Sequence, residues 1–112
     1  MSEYFPGRGD IVWLDHDPQR GHEQAGKRPA VVLSPAEYNK KIGLAIFTPI
    51  TSKIKGYPFE VRIKLTKIDG VILADQVKSL DWRSRKIKFI EKAPESILTE
   101  VNEKIDWIIK KT

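Results

Sequence analysis

The sequence predicts an α+β domain: a small, curled antiparallel β-barrel with one short helix and a C-terminal helix. Three observations support this class. Short apolar segments recur between turn signals, one segment alternates apolar and charged residues, and the last apolar segment has helical spacing. Curling the sheet is the simplest way for 112 residues to enclose a core, and residues 1–112 are predicted to form a single domain.

The N-terminal half is predicted to contain three strands and one helix. Residues 11–14 and 30–33 are short, almost wholly apolar segments typical of buried strands. Ser34–Glu37 matches a capping box with proline at the first helical position, which predicts a short helix that ends near Lys41. A third strand is predicted over residues 44–51.

The C-terminal half is predicted to complete the sheet and add the second helix. Residues 59–65 alternate apolar and charged side chains, as in an antiparallel strand with one solvated face. Asp69-Gly70 is a turn signal that leads into a strand over residues 71–74, and a final strand is expected around residues 87–89. Pro94 begins a segment in which six apolar residues have helical spacing: Ile97, Leu98, Val101, Ile105, Ile108 and Ile109.

Composition and charge narrow the function classes. The absence of cysteine excludes disulfides and thiolate metal sites, and no apolar run approaches the roughly 20 residues of a membrane span. No signal peptide is visible, so a cytoplasmic protein without a membrane partner is expected. Residues 27–92 carry fifteen Lys and Arg against six Asp and Glu, whereas the whole chain has a net charge of +5. This concentration favours a phosphate-rich partner, although a solvated surface explains it equally well.

Two places in the sequence carry candidate chemistry. Arg28 stands at the start of a predicted strand, directly after the polar loop of residues 19–27, so its guanidinium would be rigidly placed. A guanidinium binds two phosphate oxygens and stays charged. Thr51 ends another strand beside a basic loop and could bond a phosphate or a ribose hydroxyl. The alternatives are an Arg28 ion pair with Glu23 or Asp10, and a Thr51 hydroxyl that caps backbone groups.

Other catalytic arrangements have weaker support. Phosphate-binding glycine loops and the HExxH metal motif are absent. His16 and His22 flank a turn and could form an acid–base pair, or bind a metal with Asp15 or Asp17, but loop histidines six residues apart are more often exposed polar side chains.

Four blocks in order are similar to the MazF/PemK family of toxins: Gly9–Trp13, Glu23–Ser34, Lys55–Val61 and Leu73–Arg83. The similarity covers nearly the whole chain and weakens at residues 66–69 and after Lys86. It implies an SH3-like barrel that acts as a homodimer, cleaves single-stranded RNA at a short sequence without a metal or other cofactor, and is silenced by a MazE-like antitoxin.

The resemblance also implies roles for individual residues. Arg28 and Thr51 stand at the positions of the catalytic pair, and Glu23 matches a loop glutamate implicated in activity. His22 departs from the serine that several members carry, which could alter substrate preference or add a proton-transfer group. The candidate RNA contacts are Lys27, Ser52, Lys53, Lys55, Tyr57, Gln76, Lys78, Arg83 and Arg85. Tyr57 and Trp82 could stack on bases or belong to the core.

The sequence leaves two rival functions open. A basic barrel of this size could bind nucleic acid without cutting it. A related barrel toxin could instead poison DNA gyrase through its C-terminal helix, a mechanism that has no use for an anchored phosphate-binding arginine such as Arg28.

Overall fold

The computed structural model describes residues 4–15 and 27–110. Within them lie seven strands, two helices and a single 3-10 turn at Arg83–Arg85. The strands are β1 (Asp10–Asp15), β2 (Lys27–Val32), β3 (Leu44–Thr51), β4 (Glu60–Lys64), β5 (Asp69–Leu73), β6 (Lys78–Asp81) and β7 (Lys88–Lys92). The helices are α1 (Ala36–Ile42) and α2 (Glu95–Lys110).

Strand β3 organises the sheet. One of its edges pairs with β2, and its other edge pairs first with β6 and then with β5. All pairs are antiparallel, and the main path runs β4-β5-β3-β2-β1-β7. The two halves of β3 thus join different neighbours, which is how a short sheet curls around its core. The predicted curled antiparallel fold is confirmed.

Two apolar clusters stabilise the curled sheet. Ile11 and Val31 belong to one cluster, whereas their neighbours Val12 and Val32 belong to the other. Because successive side chains of a strand point to opposite faces, the two clusters lie on opposite faces of β1 and β2. The first cluster also holds residues of β4, β5 and α2, and the second is completed by side chains that include Phe47 and Trp82.

Helix α2 covers the first cluster only along its N-terminal part. Leu98 and Val101 are fully buried there. Ile108 and Ile109 continue the same apolar pattern but are exposed, while the Trp107 ring contacts Phe59 with centroids 5.8 Å apart. The helical spacing therefore predicted the helix correctly but extended the buried stripe one turn beyond the sheet.

The capping-box interpretation of Ser34–Glu37 is wrong. The helix begins at Ala36 after Pro35, and no side chain caps its N-terminus. The Ser34 hydroxyl instead donates to Asn39 Oδ1 (2.5 Å) and accepts the Ile46 N–H (2.8 Å). Ser34 is buried between α1 and β3, so its tertiary partners outcompete the local cap.

One turn prediction needs correction, and one strand was missed. Asp69 and Gly70 are not a turn but the first residues of β5, opposite Lys64 and Ile63. The turn lies one step earlier, where the Leu65 N–H donates to the Ile68 carbonyl at 2.6 Å. Strand β6 was not predicted, because its four residues alternate too weakly and it forms only by pairing with the first half of β3.

Candidate RNA-binding groove

The β2–β3 register brings the two predicted catalytic residues together. Ala30 pairs with Pro49 and Val31 with Thr48. The same register continued outward by one pleat places Arg28 opposite Thr51. Both side chains line one open groove with a volume of about 590 Å³. The start of β2 and the end of β3 therefore supply one site.

Close packing of β5 fixes Thr51. Thr51 pairs with Val71, and a Cβ atom at Gly70 would lie only 2.3 Å from the Thr51 carbonyl oxygen. Only glycine allows this approach of β5 to the end of β3. The Thr51 Oγ1 accepts the backbone N–H of Lys53 at 3.2 Å, which leaves its hydroxyl proton available for another acceptor.

Basic and polar side chains surround this pair. The groove is lined by Arg28, Thr51, Lys53, Lys55, Tyr57, Glu60, Leu73, Asp75 and Gln76. A smaller adjoining cavity of about 290 Å³ is lined by Arg28, Pro49, Ile50, Thr51, Leu73, Gln76 and Lys78. Five of the nine predicted RNA contacts therefore lie with the predicted catalytic pair: Lys53, Lys55, Tyr57, Gln76 and Lys78.

Among the described residues, the cations of the groove take part in no ion pair. These cations are Arg28, Lys53, Lys55 and Lys78. Unpaired cations that converge on one groove create a positive potential suited to phosphates. For the described residues, this argues against the alternative in which Arg28 pairs with Asp10.

Two acids line the groove, but both accept hydrogen bonds from the groove's own walls. The Tyr57 hydroxyl donates to Asp75 Oδ2, and this bond, with smaller contributions from desolvation and charge, raises the pKa of Tyr57 above its usual value. Tyr57 therefore stays a neutral donor at physiological pH. Glu60 accepts backbone N–H groups of the loop that carries Lys53 and Lys55.

The remaining predicted residues lie elsewhere. Lys27 and Ser52 are exposed and do not line the groove. Arg83 donates to the Lys40 carbonyl (2.9 Å), and Arg85 donates to the Asp15 carbonyl (3.0 Å). These four RNA contacts stay predictions without support from the groove geometry.

For Trp82, the core alternative is confirmed. Its ring is buried in the second apolar cluster, and its indole N–H donates to the Asn39 carbonyl at 2.9 Å. Glu23, His16 and His22 lie outside the described residues. Among the described residues, no three His, Cys, Asp or Glu side chains are close enough to hold a metal ion.

Sequence reasoning missed Asp75 and Glu60. Asp75 falls inside a block of family resemblance, directly before Gln76, but no local pattern places it in the groove. Glu60 reads as one charged residue on the solvated face of an alternating strand. Its role depends on a loop bend that the sequence signals only through Gly56, which has a φ of +78°.

Comparison with known proteins places the chain among toxins. A family model described as PemK-like, MazF-like toxin of type II toxin–antitoxin system matches residues 7–109. The chain is 56% identical over 85 residues to the endoribonuclease toxin MazF of Escherichia coli strain K12. This match covers 76% of this chain and 77% of that protein. It is 32% identical over 107 residues to the endoribonuclease PemK of Escherichia coli, covering 91% and 80% respectively.

Solved structures share the fold closely. The crystal structure of MazF from Deinococcus radiodurans has a TM-score of 0.87 and 49% identity, and the match covers 96% of this chain and 99% of that one. A MazE–MazF crystal structure from the same organism has a TM-score of 0.86 and 42% identity, covering 98% and 100%. No helix in the described part of the chain is long and apolar enough to cross a membrane.

Proposed function

This chain belongs to the PemK-like, MazF-like family of type II toxin–antitoxin toxins, and we propose that it is an endoribonuclease that cuts single-stranded RNA at a short sequence. The observation that carries the proposal is the shared groove of Arg28 and Thr51. Relatives of similar sequence over most of the chain are named endoribonucleases. The groove offers what phosphodiester cleavage requires: a cation carried on a strand, a hydroxyl, and further basic side chains that attract phosphates.

RNA supplies its own nucleophile in the proposed reaction. The ribose 2′-oxygen forms a bond to the adjacent phosphorus, and the bond from phosphorus to the 5′-oxygen breaks. The 2′-hydroxyl gives its proton to a base, and the departing 5′-oxygen receives a proton. The products are a 2′,3′-cyclic phosphate and a 5′-hydroxyl. All atoms and protons of the reaction are thus accounted for without a metal or other cofactor.

Arg28 stabilises the transition state. Its guanidinium binds the non-bridging phosphoryl oxygens, whose negative charge grows during the attack. The Thr51 hydroxyl donates to a phosphoryl oxygen or orients the 2′-hydroxyl beside it. Two carboxylates are candidates for the proton acceptor: Glu23, which the family resemblance indicates, and Asp75, which lines the groove.

The rest of the groove holds the strand. Lys53, Lys55 and Lys78 provide charges for neighbouring phosphates. Tyr57 is exposed enough to stack on a splayed base, and Gln76 offers an amide donor and acceptor to a base edge. These two side chains give the groove a means of sequence preference.

We further propose a protein partner and an assembly. An antitoxin similar to MazE would place an acidic segment over the unpaired cations and exclude RNA. The active toxin would be a homodimer, and it would act in the cytoplasm, where messenger RNA is translated.

Cleavage of a long unstructured RNA in excess EDTA tests the proposal. We expect cuts at one recurring short sequence, with cyclic-phosphate and 5′-hydroxyl ends, and we expect addition of the antitoxin to abolish them. Intact RNA after incubation with demonstrably folded protein would contradict it. Binding without cutting would favour a nucleic-acid-binding barrel, and inhibition of DNA gyrase would favour the other class of barrel toxin.

A further inference from the structure

We infer that Glu60 is a positioning residue, whose carboxylate holds the loop of residues 52–59 in the shape that binds RNA. The inference rests on the proposed function, because it concerns the same groove. It has an unusual consequence: removal of a negative charge from a groove that binds a polyanion should weaken binding of that polyanion.

The Glu60 carboxylate binds the loop backbone with both oxygens. Oε2 accepts the N–H of Lys55 at 3.0 Å, and Oε1 accepts the N–H of Gly56 at 3.1 Å. Successive N–H groups that converge on one anion form a compact bend, which here includes the left-handed conformation of Gly56. The Glu60 N–H closes the same bend by donating to the Tyr57 carbonyl at 3.1 Å.

The other contacts hold the ends of this loop, except that the Tyr57 side chain is held by its bond to Asp75. At the far end, Lys104 of α2 donates to the Pro58 carbonyl at 2.9 Å, and the Phe59 ring contacts Tyr57 and Trp107. At the near end, Thr51 accepts the Lys53 N–H. Among the described residues, the Lys55–Gly56 backbone has no hydrogen-bond partner other than Glu60.

Glu60 determines which side chains of the loop face bound RNA. Lys53, Lys55 and Tyr57 line the groove because the bend turns this part of the loop toward Arg28. Without the carboxylate, the exposed backbone of Lys55 and Gly56 can bond to water instead, and this part of the loop can then adopt several conformations. The conformational entropy lost when RNA orders the loop again would then weaken RNA binding.

Simple electrostatics predicts the opposite sign. A carboxylate in a phosphate-binding groove repels RNA, so its removal alone would tighten binding. The two interpretations of Glu60 therefore predict opposite directions for one measurable quantity.

The experiment measures binding of a single-stranded oligonucleotide with 2′-deoxy nucleotides, which lacks the nucleophile and is not cut. Full-length wild type, Glu60→Ala and Glu60→Gln are compared across salt concentrations. The matched control is Glu91→Ala, since Glu91 also accepts a loop N–H, that of Lys67 at 2.7 Å, but lies away from the groove.

We expect Glu60→Ala to raise the Kd about tenfold. The slope of log K against log salt should fall by about 0.7 for each lysine that no longer binds a phosphate. Glu60→Gln keeps one acceptor oxygen and should recover part of the affinity, although it lacks the charge. In cleavage of RNA, the KM should rise while kcat stays within about twofold, because Arg28 and Thr51 keep their positions. Glu91→Ala should bind as the wild type does.

Tighter or unchanged binding by folded Glu60→Ala, with an unchanged salt slope, would overturn the inference. If Glu60→Ala does not fold, the same criterion applies to Glu60→Gln. Wild-type protein that cuts RNA while its Glu60 variants bind normally would contradict this inference alone. Wild-type protein that neither binds nor cuts would contradict the proposed function as well.

Discussion

Two groups of charged residues in this molecule are used in opposite ways. Around Asp10, which is nearly buried, every charge has a partner: Asp10 accepts from the Tyr4 hydroxyl (2.6 Å), the Gly7 N–H (2.9 Å) and Lys92 Nζ (3.0 Å). Around Arg28, the groove cations have no acidic partner among the described residues. The Asp10 network connects the N-terminal segment to β7, whereas the groove leaves its charge for a ligand.

The difference separates stability from function. A buried, fully bonded carboxylate contributes to folding because its loss leaves donors without acceptors. Exposed, unpaired cations contribute little to folding or oppose it slightly through mutual repulsion. Changes in the Asp10 network should therefore alter stability, and changes in the groove should alter RNA cleavage.

The largest expected effect is on catalysis. Arg28→Ala should lower kcat by about 10²–10³-fold, the range seen when a donor to the transition-state charge is removed, and leave the melting temperature nearly unchanged. Arg62→Ala is the matched control, since Arg62 is paired with Asp69 at 2.7 Å and does not line the groove. Single-turnover cleavage of RNA measures both variants. Equal losses of kcat in the two variants would contradict the functional difference between groove cations and paired cations.

The next effect is on folding. Asp10→Asn should lower the free energy of unfolding by about 2 kcal/mol, because an amide cannot accept from Tyr4, Gly7 and Lys92 together. Urea unfolding measures the loss, and cleavage at a temperature where the variant is folded should be unchanged. A variant of full stability and reduced activity would reverse the roles assigned to the two regions.

A smaller catalytic effect is expected at Thr51. Thr51→Val keeps the shape of the side chain but removes the hydroxyl, so kcat should fall about tenfold, while Thr51→Ser should retain most of the activity. The comparison holds packing against β5 nearly constant. Full activity of the valine variant would show that the hydroxyl takes no part in the reaction.

The smallest effect depends on pH. Burial, and next the hydrogen bond to Asp10, raise the pKa of Tyr4 well above its usual value. The folded state therefore holds this proton more tightly than the unfolded chain, so the stability that the hydroxyl contributes is complete below the unfolded pKa of about 10 and is lost as pH rises above it.

Tyr4→Phe should thus lower stability by about 0.5 kcal/mol at neutral pH. The gap between wild type and variant should narrow above about pH 10. Thermal unfolding of both proteins from pH 7 to pH 11 measures this gap. A gap that widens with pH would contradict the assigned direction of the pKa shift.

The sequence predicted most of the strands because their periodicity is local. Val61 and Ile63 alternate with Arg62 and Lys64, and the structure buries the first two and exposes the others. Strand β6 and the Ser34 contacts were not predictable in this way. Both depend on β3, so their partners become known only when the chain has folded.

The candidate site was predicted unevenly for the same reason. Family resemblance indicated Arg28 and Thr51, but local pattern alone left each with a structural alternative. Their meeting depends on the β2–β3 register, a pairing between two strands that helix α1 separates in the sequence. The sequence left Trp82 with two alternatives, because an aromatic residue in a sequence does not reveal whether it packs against bases or core residues; the structure places it in the core.

The most direct test of the central claim locates bound RNA on the molecule. A non-cleavable 2′-deoxy strand with the mapped cleavage sequence would be added to isotope-labelled protein, and its effect on backbone amides followed by NMR. We predict large shifts at Thr51, Lys53 and Gln76 and none at Lys64 of the solvated face of β4. Shifts confined to β4 or α2, with the groove amides unmoved, would contradict the assignment of the groove as the site of cleavage.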